Sequence, residues 1–284
     1  MIKIGFSANG IEEKFIKSTF KRYIHRFHKG TELLHYDNEI FCYNALNNSK
    51  EINAVAVCLE YLPTTLSEGL VIAALSKRSA CYISLITFPA TSFNDALFNL
   101  PTNPVIAGSS DIIFAQFKEI IPTAGFEKKI DNDKVYVHLD NLVGAENKTS
   151  ELSNLNGGLI PQMYMSGNIR IDNEELEAIT FDPSEITALP GSGVVAFLCR
   201  ADDLETRRFL KDIHNSETGE VINIERKLKK LFEDKDIAAF CEKDANENYH
   251  LYAAALVNDN VKRCRVSQST FFELAETAFN KLIN

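Results

Sequence analysis

Long apolar runs are missing from this chain of 284 residues. No stretch approaches the roughly 18–20 residues that a membrane-spanning helix needs, so no membrane partner is expected. A basic leader is missing as well. MIKIGFSANG runs straight into apolar residues, which predicts no secretory peptide and a cytoplasmic protein. Basic residues are outnumbered, 30 against 39 acidic, for a formal net charge of -9. That balance argues against nucleic acid, which wants a basic face, and against docking on anionic lipid. Paired cysteines are absent: Cys42, Cys58, Cys81, Cys199, Cys241 and Cys264 are spread singly, without CxxC or Cys/His ligand spacing. No metal and no other cofactor is expected. Most of these cysteines sit in apolar runs such as VAVCLE and VAFLCR, as reduced core thiols do. Glycine and proline are scarce, 13 and 8, so long linkers are few.

Buried patterns fill the rest. Residues 2–7 (IKIGFS) read as a strand, and residues 11–24 carry Ile11, Phe15, Ile16, Phe20 and Tyr23 at helical spacing. A short helix is predicted over 39–48. Ile52–Leu59 and Ala80–Thr87 read as strands buried on both faces, and Pro104–Ile106 as another. Thr65–Lys77 reads as a helix with a small-residue face. Val194–Cys199 is a strand, Asp202–Ile213 and Ile224–Phe232 are helices, and Asp236–Phe240 is a strand. His250–Val257 and Ser269–Leu282 look helical, with VKRCRV a strand between them. The polar stretch 126–180 reads as an elaborated loop or hairpin region.

Two segments share one plan, 43–75 and 225–256. Each runs helix, polar turn, buried strand near a Cys and a Glu, polar loop, and a second helix ending in alanines and a leucine. Strands joined by helices imply right-handed crossovers. Two stacked halves predict an α/β protein with a layered α/β/α/β/α body: residues 1–125, an inserted region 126–180, and residues 181–284, forming one integrated domain.

FDPSEITALPGSGVVAFLCRADDLE (181–205), KLKKLFEDKDIAAFCEKD (227–244) and VKRCRVSQSTFFELAETAFNKL (261–282) resemble passages of the β-ketoacyl synthase branch of the thiolase-like superfamily. ISLITFPATSFNDALFNL (83–100) resembles its nucleophile elbow, and VIAGSSDIIF (105–114) the strand that follows. The resemblance implies a duplicated thiolase-like fold, here truncated at the C-terminus. It also requires a cysteine at the elbow and two histidines for the condensation chemistry. Ala90 stands at the cysteine position, and Cys241–Asp244 and Ser269–Phe272 hold no histidine. The resemblance therefore implies a non-catalytic partner subunit of the chain-length-factor type, shaping the acyl channel of a type II polyketide or fatty-acid-like synthase. Its partner would be a catalytic ketosynthase subunit, with an acyl carrier protein engaged indirectly. Phe93 would shape the channel and Thr91 and Asn94 would line its mouth.

Two other classes remain open on these residues. AVAVCLEYLPTTLSEGLVIAALSKR (54–78) is similar to a nucleoside 2-deoxyribosyltransferase passage, with Thr65, Glu68, Gly69 and Lys77 in matching places. Glu68 would then be the nucleophile on the sugar anomeric carbon. Alternatively, an active ketosynthase-like enzyme would use a displaced nucleophile, Cys81 or Ser92. Of the histidines, His25 and His28 lie at i, i+3 among Arg22, Arg26 and Lys29, which reads as a solvated basic face. His250 reads as packing, and Ser192 in PGSG as a turn residue.

Overall fold

The computed structural model describes residues 1–8, 10–23, 30–87, 100–108, 110–128, 157–161, 170–171, 174–175, 177–233 and 235–284. The chain opens as β1 (Ile2–Phe6), α1 (Gly10–Tyr23), β2 (Thr31–His35), α2 (Glu39–Asn47) and β3 (Ala54–Cys58). β1 pairs in parallel with β2 on one side and β3 on the other. Ile4 and Phe6 face Phe15, Ile16 and Phe20 of α1. Val55 faces the opposite way, onto Cys42, Ala45 and Leu46 of α2. The two helices therefore cover opposite faces of one sheet. Glu12 and Glu13 in the first turn of α1, and Lys21 and Arg22 in its last, match the helix dipole. Asn38 caps α2 by accepting from the Phe41 amide at 2.9 Å.

After a 3-10 turn (Leu59–Tyr61), β4 (Leu70–Leu75) completes this first sheet. It does so only through β12 (Val195–Arg200), which inserts antiparallel between β3 and β4. The order is β2-β1-β3-β12-β4.

The second sheet is built from β5 (Ile83–Thr87), β6 (Val105–Gly108), β7 (Gly125–Lys128), β8 (Gly157–Pro161) and β11 (Glu177–Thr180), in the order β11-β5-β8-β6-β7. A small antiparallel pair, β9 (Arg170–Ile171) and β10 (Glu174–Glu175), precedes β11. α3 (Asp111–Ile120) packs Ile113 and Phe117 onto Ile83, Leu85 and Ile106 of this sheet. Gln116 exchanges two hydrogen bonds with the Thr187 backbone, at 3.1 and 2.9 Å. The segments 76–82 and 181–194 cross between the two sheets, once in each direction.

The third unit follows α4 (Leu204–Lys211). It comprises α5 (Ser216–Leu231), the antiparallel meander β13 (Ile237–Lys243), β14 (Tyr249–Val257) and β15 (Asn260–Gln268), and α6 (Leu274–Ile283). Leu228 of α5 and Leu274, Ala278 and Leu282 of α6 cover one face of the meander. This core is continuous with Leu75 of β4, Val194 of the crossing segment and Ala196 of β12.

The third unit also caps the second. Asp236, at the start of β13, accepts from the Ile112 amide at 3.0 Å and from the Ser110 hydroxyl at 3.2 Å, at the N-terminus of α3. Asp236→Ala should lower stability by about 1 kcal/mol, the worth of a helix cap, read as a drop in denaturant midpoint at constant slope.

This topology corrects the thiolase-like expectation. The two similar segments are not βαβ repeats, because the alanine runs taken for helices are β4 and β14. Alanine favours helix by propensity, but β4 is held by β12, and β14 is paired on both sides. Small side chains suit β14 because helices meet both of its faces: Ala253 and Ala255 lie toward α5 and α6, Ala254 toward Ile112 of α3. The fold is mixed α/β, with three larger sheets and one two-stranded pair among the described residues, in place of a duplicated α/β/α/β/α stack.

Candidate functional site

Strand order reverses between β1 and β3: the chain leaves β1 toward β2 through α1, then returns past β1 to β3 through α2. At such a switch point the helices diverge to opposite faces and leave a crevice at the carboxyl ends of the strands. A cavity of about 390 Å³ lies there. Its lining comes from Ser7 and Ala8 after β1, Glu12 and Ile16 of α1, and Tyr43, Asn44 and Asn47 of α2. Cys58, Tyr61, Leu62 and Pro63 after β3, with Leu66, Ser67, Leu70 and Leu198, close it. His35 on β2 braces the loop after β1, bonding the Ala8 carbonyl at 3.0 Å and meeting the Phe6 ring edge-on.

Chemically the cavity is an apolar box with hydroxyl and amide groups at its edge. Glu12 is the one charged side chain lining it among the described residues, and no lysine, arginine or histidine joins it. Glu60, in the 3-10 turn, points the other way: it is buried and accepts a short hydrogen bond from the Ser192 hydroxyl.

Ser192 belongs to the crossing region, which is tied by a buried ion pair. Arg78 reaches Glu225 of α5 through both terminal nitrogens, at 2.7 and 3.0 Å. Glu225 also accepts from the amides of Gly191 at 2.9 Å and Cys241 at 2.7 Å. Arg78 further donates to the carbonyls of Ser192 and Cys241 and lies over the Phe240 ring. Burial alone would lower the Arg78 pKa; the facing Glu225 carboxylate overrides it and raises it. One pair thus joins both crossing segments to the third unit.

The expected site residues fall as follows. Ala90, Thr91, Ser92, Phe93 and Asn94 lie outside the described residues, as do His25 and His28. Glu68 is exposed in the turn before β4, next to the cavity-lining Ser67. Cys81 is buried, and burial pushes its thiol up to about 11 despite the nearby Arg78. That disfavours the thiolate a nucleophile needs. His250 lies on a strand, not a helix, with a ring nitrogen 2.8 Å from the Ser267 hydroxyl and the other 3.1 Å from Asp244. Sequence reasoning missed the cavity. Its signal was the order of strands and helices before residue 60, which becomes readable only once TELLH is taken as β2.

No family model matches the chain. It is 27% identical over 238 residues to the "Probable porphobilinogen deaminase" of Methanocaldococcus jannaschii, covering 78% of this chain and 73% of that one. It is 29% identical over 211 residues to the "Porphobilinogen deaminase" of Listeria monocytogenes serotype 4a, covering 72% of this chain and 62% of that one. Among solved structures, the methionine-binding protein MetQ aligns at a TM-score of 0.45 and 14% identity, over 82% of this chain and 95% of that one. The VFT2 domain of Bordetella pertussis BvgS aligns at a TM-score of 0.45 and 13% identity, over 79% and 92%.

These relatives overturn the ketosynthase-like resemblance. The chain-length-factor role, the ketosynthase and carrier-protein partners, and the polyketide or fatty-acid setting fall with it. So does the deoxyribosyltransferase alternative. The matching motifs were pieces of strand, turn and helix that different folds share. In PGSG, for example, the glycines serve the crossing between sheets: Gly191 and Gly193 take φ of +88° and +81°. No helix among the described residues is long and apolar enough to cross a membrane.

Proposed function

We propose that this protein is a porphobilinogen-deaminase-like enzyme that takes its small-molecule substrate in the cavity between β1 and β3. The cavity at the switch point carries the reading, because open α/β sheets bind ligands there. The similarity to proteins named porphobilinogen deaminase, running over about three quarters of this chain, supports the substrate. A cytoplasmic setting fits six free thiols, five of them buried.

The test is direct. Purified protein is incubated with porphobilinogen, and loss of substrate and release of ammonia are followed together. Ser67 is exposed at the rim, so Ser67→Phe fills the cavity without disturbing the core. It should cut turnover at least about tenfold, with the thermal midpoint within a few degrees of wild type. Porphobilinogen neither bound nor consumed would overturn the reading.

A further inference from the structure

We infer that the meander carries a second reactive centre: Ser267 is a nucleophile activated by His250 and Asp244, and it takes acyl groups from small activated esters. None of these three residues lines the switch-point cavity, so the inference goes beyond the deaminase-like reading and does not depend on it.

The register of the sheet brings the three together. His250 on β14 stands directly opposite Ser267 on β15, and the side chains of such a pair leave the sheet on the same face. The hairpin after β13 supplies the acid. Asp244 Oδ1 accepts from the amides of Asn246 and Asn248, at 2.8 and 2.9 Å. Its Oδ2 is left to face the Asn248 side-chain amide at 3.2 Å and His250 Nε2 at 3.1 Å. These bonds, the Asn248 backbone amide first, hold the Asp244 carboxyl down at about 2. At neutral pH it is an anion, and both of its oxygens only accept.

The partners fix the tautomer of His250. Facing an ionised carboxylate, Nε2 carries a proton and donates it. Nδ1 faces the Arg265 guanidinium at 3.4 Å. A guanidinium can only donate, so Nδ1 presents its lone pair. The Ser267 hydroxyl lies 2.8 Å from the same Nδ1 and donates into that lone pair. Hydroxyl, imidazole and carboxylate thus form the chain of an activated nucleophile, with a base in hydrogen-bond reach and a third group orienting the base. The two ring nitrogens are exchanged relative to the serine-protease arrangement, which leaves the proton path the same.

Access and charge agree with this. Ser267 is exposed, so an ester can reach its oxygen. Arg265 precedes it by two residues and shares its face of β15, with the guanidinium over the Tyr252 ring at 5.2 Å. A cation therefore stands beside the hydroxyl, where negative charge develops on an attacked carbonyl oxygen. In the reaction, Ser267 Oγ bonds to the carbonyl carbon, its proton passes to His250 Nδ1, and the carbonyl electron pair moves onto oxygen. Collapse restores the carbonyl, breaks the bond to the leaving oxygen and hands that oxygen the proton from Nδ1. Water then attacks the acyl-serine by the same route, releasing the carboxylic acid and restoring the hydroxyl.

A fluorophosphonate probe and p-nitrophenyl acetate test the inference on the intact protein in mildly alkaline buffer. Mass spectrometry of the digested wild-type chain should place the phosphonyl adduct on Ser267, a reading that needs no variant to fold. Ser267→Ala and His250→Gln should each slow p-nitrophenolate release at least about tenfold, the low end of what general-base catalysis supplies. Asp244→Asn, which lets an amide N–H face Nε2 and so favours the wrong tautomer, should slow it comparably. No adduct on Ser267, or a release rate unchanged in Ser267→Ala or His250→Gln, overturns the inference and leaves the three side chains as a hydrogen-bonded tie across the hairpin. Neither readout involves porphobilinogen, so failure here leaves the deaminase-like reading untouched.

Discussion

Arg78→Met should cost the protein about 3–5 kcal/mol, the largest loss we expect from a polar substitution. The reason is what it leaves behind. Glu225 is fully buried, and its carboxylate is held by Arg78 and by two backbone amides. Removing the guanidinium strands a charge in the interior, which is far more damaging than losing a surface pair. Arg78 also donates to the carbonyls of Ser192 in the other crossing segment and Cys241 in β13, so those lose donors in the same stroke. The double replacement Arg78→Met with Glu225→Leu should recover much of the loss, since a buried pair and apolar residues of similar volume are often close in stability. Urea unfolding of the three proteins gives the answer. Arg78→Met within 1 kcal/mol of wild type would mean that the pair does not clamp the crossing segments to the third unit.

Gly193→Ala should destabilise on the order of 3 kcal/mol, by a different route. Its φ of +81° already disfavours a side chain. A Cβ there would also lie 2.5 Å from the Ser79 carbonyl oxygen and 2.9 Å from the Cys81 Cβ. Neither neighbour is free to retreat, because Ser79 donates its amide to the Gly193 carbonyl at 2.8 Å. The two crossing segments would have to separate. Gly69→Ala is the control: φ is also +81°, but nothing lies within 4 Å of the added carbon. It should cost only about 1 kcal/mol, the conformational part alone. Equal losses at the two positions would show that the close approach of the segments contributes nothing.

Elements whose side chains declare their neighbours were legible in the sequence. The helix predicted over 11–24 is α1, with Phe15, Ile16 and Phe20 in the core. The continuous apolar runs at 52–59 and 194–199 contain β3 and β12, both buried on two faces. Elements defined by pairing alone were not. β2 is half exposed along its length and carries no alternation strong enough to declare it. Without it, the βαβαβ order, the switch point and the cavity all stayed hidden. β4 and β14 were lost to the helix propensity of alanine. The Arg78–Glu225 pair spans 147 positions, and no local pattern announces a contact of that range. Glu12 drew no notice in the sequence; only the return of α2 and the loop after β3 make it part of the cavity wall.

The late insertion of β12 sets the schedule on which the chain can fold. β3 and β4 emerge early in synthesis, yet each leaves an unsatisfied ladder facing the slot that residues 195–200 fill. Until some 120 further residues have been added, both rims are open edges of the kind that recruit foreign strands. A contact of such sequence separation also forms slowly, because the intervening loop must close first. A nascent chain halted before residue 195 should therefore depend on chaperones and aggregate without them, whereas one released beyond residue 200 can seal its own sheet.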